Sequence, residues 1–439
     1  MNVAKDVKKT NVRWITVAIL FLITVINYAD RATISLAGSG IEKQFHMGPV
    51  AMGYIFSAFG WAYVICQLPG GYWLDRFGSK RVYAFSIFFW ALSSILQGFT
   101  GFLAVGTAFV TLFILRLLSG AAESPTFPAN SRIVAAWFPA AERGTAAAIF
   151  SAGQAAATVI FAPLMGWIIF TFGWYYAFWF MGILAMLFTL VWKKFIHNPK
   201  DHPMANEAEI QYIVEGGGLV DMDQTNAGAK KNESIMKYVK QLLHNRMMIG
   251  IYIAQYCINA TIYFFITWFP VYLVQARGLS ILKAGFAASV PAIFGFAGGI
   301  LGGILSDFLL KKGYSLTVAR KVPIVLGMLL GMTIIICNYV DSVFMVIAIM
   351  SVAFFGKGFG QLGWAVNSDT APKAIVGVSG GVLNIFGNLT SIITPITIGY
   401  IIKITGSYND ALVFIAAHCL IAILCYLFIV GEIKRVELK

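Results

Sequence analysis

Twelve stretches of this chain are each predominantly apolar over about 20 residues, the length a helix needs to cross about 30 Å of hydrocarbon. They begin near Trp14, Ala51, Val82, Leu103, Gly144, Trp174, Met247, Leu282, Val322, Phe344, Val376 and Ala411. Inside lipid a backbone must satisfy its own polar groups, which leaves helices and closed barrels. Barrel strands alternate over about ten residues, and nothing here alternates. Composition agrees: 59% of residues are hydrophobic and 12% charged, with mean hydropathy +0.78. Soluble domains do not look like this. The expected fold class is an all-α membrane protein with twelve transmembrane helices.

A net charge of +13 invites a nucleic-acid partner. Its placement argues against one. With a cytoplasmic N-terminus, four of the 32 Lys and Arg (Lys43, Arg277, Lys283 and Lys403) fall in outer loops and three fall inside spans. All the others lie in inner loops and tails. This is the positive-inside rule, and it places both termini in the cytoplasm. The basic balance then reflects topology and anionic lipid. The first apolar run follows Lys8, Lys9 and Arg13 as a signal peptide would. It is too long for one, contains Asp30-Arg31 and precedes eleven more runs, so it reads as a retained helix. Cys66, Cys257, Cys337, Cys419 and Cys425 all fall within predicted helices without metal-ligand spacing, as small packing residues do.

One long polar stretch, 196–246, divides the spans into six and six. Its Gly216-Gly217-Gly218 run lacks the Lys-Ser/Thr of a phosphate loop, and a flexible turn is expected. From Ser234 onward, Ile235, Val239, Leu242 and Leu243 share a helical face opposite Lys237 and Lys240. That pattern predicts a short helix lying on the inner membrane surface. The halves repeat at an offset of 232 or 233 residues: Gly71 and Asp75 recur as Gly303 and Asp307, Pro139 and Gly144 as Pro372 and Gly377, Pro163 as Pro395. Six spans per half in the same orientation imply a parallel repeat, with substrate near the midplane between the halves. The expected division is an N-terminal bundle at 1–195, a cytoplasmic linker at 196–246 and a C-terminal bundle at 247–439.

Five charges interrupt the spans: Asp30, Arg31, Arg116, Glu123 and Lys357. Each costs about 2.5–3.5 kcal/mol at the bilayer centre on insertion scales, so such groups face polar cavities and mark pathways. Three are cations, which suits an anion, and two carboxylates remain to carry protons. Asp30 and Arg31 diverge by about 100° around one helix, so one faces the cavity and the other a neighbouring helix. Arg31 offers a planar fork for a carboxylate; the alternative is an Arg–Glu pair bracing two helices. Arg116 and Glu123, two turns apart, share a cavity wall. A buried carboxylate among arginines is switchable by whatever engages those arginines. Asp30 either titrates or orients Arg116. Lys357, Gln361 and Trp364 follow at i, i+4 and i+7, an ammonium, an amide and an indole on one stripe. The alternative for Lys357 is snorkelling to the headgroups, which its depth opposes. His418 reads as a satisfied core histidine.

The segment Gly71-Tyr-Trp-Leu-Asp75-Arg76-Phe-Gly78-Ser-Lys80-Arg81 resembles the loop signature of the major facilitator superfamily. More narrowly the chain resembles its anion:cation symporters, nearest the bacterial glucarate/galactarate permeases. Asn27-Tyr28-Ala29-Asp30-Arg31-Ala32, Arg116 with Glu123-Ser-Pro125, and Thr267-Trp268-Phe269-Pro270 carry the resemblance, and Phe354-Phe355-Gly356-Lys357-Gly358 supports it. It implies two six-helix bundles, Arg31 as a substrate-carboxylate contact, and Asp30 and Glu123 as proton carriers. Tyr28, Tyr63, Gln154 and Asn384 match binding-site positions; the alternative for each is packing or helix–helix hydrogen bonding. Monocarboxylate relatives tend to be neutral at the position of Lys357, so a second carboxylate on the substrate is implied. Asp75, Arg76 and Arg143 match a cytoplasmic gate, with Asp75 at the start of the eleventh helix, where the macrodipole favours an anion.

The expected function is a proton-coupled symporter, monomeric, bringing glucarate or galactarate across the bacterial inner membrane by alternating access. Its partners are the sugar-acid anion, protons and the bilayer, with no metal or cofactor. The rival readings are a symporter for a monoacid (hexuronate or galactonate) and a sugar-acid sensor. No nucleophile–base pair or cofactor motif points to an enzyme.

Overall fold

The computed structural model describes residues 9–221, 235–372 and 375–437, all helical or irregular. The helices are α1 (Val12–Phe45), α2 (Pro49–Phe77), α3 (Ser79–Phe99), α4 (Val105–Glu123), α5 (Thr126–Trp137), α6 (Arg143–Phe172), α7 (Trp174–Phe195), α8 (Glu207–Glu215) and α9 (Ile235–His244). They continue as α10 (Arg246–Thr267), α11 (Phe269–Gln275), α12 (Ile281–Lys311), α13 (Leu316–Met332), α14 (Val343–Phe359), α15 (Leu362–Thr370), α16 (Val376–Thr405) and α17 (Asn409–Leu424). Among the described residues twelve segments are long and apolar enough to cross a membrane. Their starts agree with the sequence-based ones to within a turn or two.

Two spans are broken in mid-course, and the sequence says why. Val105–Trp137 passes from α4 to α5 through Ser124-Pro125. Proline has no N–H to continue the ladder. Val343–Thr370 passes from α14 to α15 through Gly360-Gln361. Two of the five intramembrane charges, Glu123 and Lys357, stand at or just before these breaks.

The chain forms two compact units: Met1–Arg31, Trp61–Ala157 and Tyr175–Lys230 in the first, Ala32–Gly60, Thr158–Trp174 and Lys231–Lys439 in the second. The boundaries cut α1, α2 and α6, so one end of each joins the second unit. There, glycines set the spacing. A methyl group on Gly53 would lie 2.7 Å from the Pro395 carbonyl, and one on Gly285 2.5 Å from that of Ala162. Glu42 accepts from Gln275, which in turn accepts from Tyr408 at 2.6 Å.

In the first unit, the polar stretch after α7 is docked rather than loose over its described part, which ends at Asp221. Gly216–Gly218 form a hydrogen-bonded turn: Gly218 N donates to Ile213 O (2.7 Å), Ala140 N to Gly216 O (2.8 Å) and Leu219 N to Ala135 O (2.9 Å). Gly217 takes φ +79°, which only glycine adopts freely. The fully buried Glu209 on α8 caps the start of α1, accepting from Thr10 Oγ1 (2.6 Å), Val12 N (3.0 Å), Arg13 N (3.2 Å) and Arg13 Nη1 (3.0 Å). Arg13 also donates to Glu142 (2.9 Å), as does Tyr212 (2.7 Å). Burial opposes ionisation of Glu142, but these hydrogen bonds and the Arg13 charge outweigh it and hold its carboxyl below the usual range. The Glu142–Arg13 pair therefore keeps its charge at neutral pH, and its contribution to stability is lost as pH falls through that lowered value. The amphipathic helix expected from Ser234 appears as α9, with Leu242 buried; Ser234 itself lies outside the described residues.

Glu209→Ala leaves Arg13 with Glu142 as its ion-pair partner and strands the N–H groups of Val12 and Arg13. Leaving a buried donor unsatisfied costs about 1–3 kcal/mol. We expect a lowered thermal midpoint in detergent and faster tryptic cleavage at Lys200. An unchanged cleavage rate would show that Glu209 does not hold this segment.

Candidate functional site

The first unit gathers four of the five charges. Arg31 Nε donates to Glu123 Oε2 at 2.7 Å, both groups being buried. The guanidinium lies over the ring of Tyr28 at 4.7 Å and that of Tyr63 at 4.9 Å. Tyr28 precedes Arg31 by one turn of α1, and Tyr63 comes from α2. Two aromatic faces replace some of the hydration a buried cation loses. Glu123 is the last residue of α4. The chain there is pinned by Thr126 Oγ1 donating to Glu123 O (2.7 Å) and Ser124 Oγ to Cys66 O (3.1 Å). Gly70 lets α2 approach this break; a methyl on it would sit 3.1 Å from Ser124 Oγ. The second oxygen of Glu123, Oε1, is buried with no hydrogen-bond partner among the described residues.

Asp30 turns the other way, as its 100° offset requires, and accepts from Ser94 Oγ on α3 at 2.6 Å. Arg116 is buried on α4 with Asp30, Glu123 and Arg31 as its charged neighbours. Gln154 is half-buried on α6, beside Gly153, where a methyl would lie 2.9 Å from Phe21 O of α1.

In the second unit Lys357 is 7% exposed. Its ammonium lies over Phe354 at 5.2 Å and has no acidic partner among the described residues. Gly356 and Gly358 flank it for a steric reason. A methyl on Gly358 would lie 2.5 Å from Gly295 O and Gly299 N of α12, and one on Gly356 would overlap Gly327 O of α13. Helix α14 is thus wedged between α12 and α13, and lysine is the one residue of the three with a side chain. The α-helix ends two residues later in tighter turns with i→i+3 bonds, which rotate the residues that follow away from an ideal i, i+4, i+7 stripe. Gln361 lies in the break and Trp364 in α15 beyond it, both exposed. Asn384 on α16 accepts from Asn388 Nδ2 (3.0 Å), and Asn388 Oδ1 accepts from Tyr263 OH on α10 (3.0 Å).

The expected gate residues find partners inside the first unit. Asp75 pairs with Arg132, whose Nε also donates to Ser79 Oγ at 3.2 Å. Arg76 is exposed and reaches Tyr72 OH at 3.2 Å. Arg143 donates to the carbonyls of Gly217 (2.6 Å), Phe138 (3.2 Å) and Ala135 (3.3 Å), fastening the docked loop. In the second unit Arg320 of α13 pairs with Asp369 of α15 at 2.8 Å and donates to Ser306 Oγ of α12 at 2.9 Å.

Sequence reasoning passed over Ser94, Tyr263 and Asn388. The last two had a signal: Gln255, Asn259 and Tyr263 recur every four residues along α10, and Asn384 and Asn388 do so on α16. Ser94 had none, since serine is ordinary in a membrane helix.

Gly358→Ala tests the wedge. Overpacking of this kind costs about 1–3 kcal/mol. The expected result is a lower thermal midpoint, whereas Gly303→Ala, with nothing within 4 Å, should be silent. Equal midpoints for the two variants would contradict the close packing.

Spanning helices that bury paired charges are the substance of a solute pathway. The profile described as Major Facilitator Superfamily matches residues 20–334. The chain is 61% identical over 432 residues to the probable galactarate/D-glucarate transporter GudP of Bacillus subtilis (strain 168), covering 98% of this chain and 95% of that one. It is 59% identical over 433 residues to the protein of the same name in Escherichia coli (strain K12), covering 98% and 96%. In fold it is similar to the crystal structure of a bacterial homolog to the human lysosomal transporter Spinster in an inward-facing and occupied conformation. The TM-score is 0.75 at 15% identity, over 95% of this chain and 97% of that one. The chain belongs to the major facilitator superfamily. It is a multi-pass membrane transporter with twelve transmembrane helices, and not an enzyme.

Proposed function

We propose that this protein is a proton-coupled symporter that imports a sugar dicarboxylate, glucarate or galactarate, across the bacterial inner membrane with both termini in the cytoplasm. The substrate class follows the names of the relatives. Transport proceeds by alternating access of the six-helix halves, residues 1–195 and 247–439.

One observation carries the coupling: a cation shaped for a carboxylate is buried in an ion pair with a carboxylate that can take a proton. A substrate carboxylate that engages Arg31 displaces Glu123. Glu123 then stands in a low-dielectric site without its cation, and protonation is the inexpensive response. Proton and substrate thus enter together. Tyr28, Tyr63, Arg116 and Gln154 line the substrate beside Arg31. Lys357, buried and with no acidic partner among the described residues, takes the second carboxylate, with Gln361, Trp364 and Asn384 meeting the hydroxylated chain. Asp75, Arg76 and Arg143 serve the cytoplasmic gate.

The test is uptake into proteoliposomes of a panel of sugar mono- and diacids, with and without an imposed pH gradient. Glu123→Gln fixes the side chain in its neutral form. Exchange of labelled for unlabelled glucarate should survive, while accumulation driven by the gradient is lost. Intact accumulation would move the coupling role to Asp30.

Lys357→Asn addresses the substrate. Truncating one partner of a desolvated charge pair costs about 2–5 kcal/mol, roughly thirty- to several-thousand-fold in affinity. Glucarate should suffer that loss and galactonate much less. The ratio of their affinities, wild type against variant, is the measured quantity. An unchanged ratio removes Lys357 from substrate recognition and favours a monoacid.

A further inference from the structure

We propose that Ser94 is a positioning residue for the proton on Asp30, and that it reports the protonation state of α1 to α7. The proposal rests on the reading of Asp30 as a proton carrier. Ser94 is fully buried on α3 and has two acceptors within reach but one hydrogen to give: Asp30 Oδ1 at 2.6 Å and the Phe178 carbonyl of α7 at 3.4 Å. The second reach exists because α3 and α7 are packed unusually close. A methyl on Gly182 would lie 2.5 Å from Ile95 Cγ1 and 2.8 Å from Ala91 O, and one on Gly98 would overlap the Trp179 ring. Ser94 stands between these two contacts.

The chemistry is a reversal of one hydrogen bond. With Asp30 ionised, Ser94 donates to it, in a charge-assisted bond stronger than a neutral one. When a proton arrives, an O–H bond forms on Asp30, and that O–H donates to Ser94 Oγ. The Ser94 hydrogen rotates to the Phe178 carbonyl. No bond of Ser94 breaks, and no proton leaves it. A hydroxyl is suited to this because it both donates and accepts. The charged groups around Asp30 are Arg31 on its own helix and Arg116 and Glu123 on α4. From α3 it meets the Ser94 hydroxyl, and α7 offers the Phe178 carbonyl to that same hydroxyl.

Ser94→Ala removes the donor that favours the ionised carboxylate and leaves volume almost unchanged. A hydrogen bond to a charged group is worth enough to displace a titration by about one pH unit. The pH profile of glucarate uptake in proteoliposomes should therefore move about one unit toward higher pH. Ser94→Thr, which keeps the hydroxyl, should restore the wild-type profile, and Ser94→Cys, a weaker donor, should fall between. In an Asp30→Asn background Ser94→Ala should cause no further shift. A Ser94→Ala profile that falls in rate without moving would make Ser94 a packing residue and overturn the proposal. If Asp30→Asn alone keeps the wild-type profile, the failure lies instead with Asp30 as a carrier, which separates the two outcomes.

Discussion

A guanidinium and a carboxylate taken out of water together are tolerable; either one alone is not. The first unit is arranged around that constraint. Arg31 and Glu123 meet at 2.7 Å, and the surroundings serve the meeting. The proline break after Glu123 frees the end of α4 from a continuous helix. Gly70 lets α2 come close to that break. Tyr28 and Tyr63 cover the guanidinium with ring faces. One carboxylate oxygen is nonetheless left without a partner, so the pair is incompletely satisfied. A purely architectural pair gains nothing from that deficit. A pair whose cation must be surrendered to an incoming anion does, because a fully satisfied carboxylate would hold its arginine too firmly.

The second unit solves a different problem with a different device. Lys357 has no anion beside it among the described residues, so the Phe354 ring face and close packing hold it in place. The glycines on either side bring α14 against α12 and α13 so closely that the backbone has little freedom to withdraw the lysine. A flexible stem fixed at its root is a reasonable way to keep a cation deep without a partner. The cost of the desolvated charge is met by the tight helix contacts around it, where dispersion between close backbones is the main gain in lipid.

Much of this was legible in the sequence, for identifiable reasons. Spans are read from length and hydropathy, which follow from one rule about backbone polar groups in lipid. Arg31, Glu123 and Lys357 announced themselves because charge in hydrocarbon is costly. The divergence of Asp30 from Arg31 followed from helical geometry and is met by Ser94 on one side and Glu123 on the other. At the tenth span, extrapolating i+4 and i+7 from Lys357 assumed a continuous α-helix, whereas Gly360-Gln361 carries tighter i→i+3 turns that shift the stripe. The docked loop was also missed. Nothing in Gly216-Gly217-Gly218 says that Arg143, 74 residues earlier, will bind its carbonyl, because such a contact is set by tertiary placement and not by local pattern.

The proposed coupling has an energetic consequence. Moving one charge against 100 mV requires about 2.3 kcal/mol, so a dianion entering alone is opposed by about 4.6 kcal/mol. One proton removes half of that opposition and two remove it. The first unit holds two buried carboxylates, Asp30 and Glu123, with separate partners: a hydroxyl for one and a guanidinium for the other. In the proposed cycle Glu123 gives up its hydrogen-bonded partner Arg31 to the substrate, which would tie its protonation to occupancy. That of Asp30 is tied to the helix contact that Ser94 bridges. Two carriers answering to different events, substrate arrival and helix position, provide what a two-proton cycle needs if neither proton is to cross without the sugar acid.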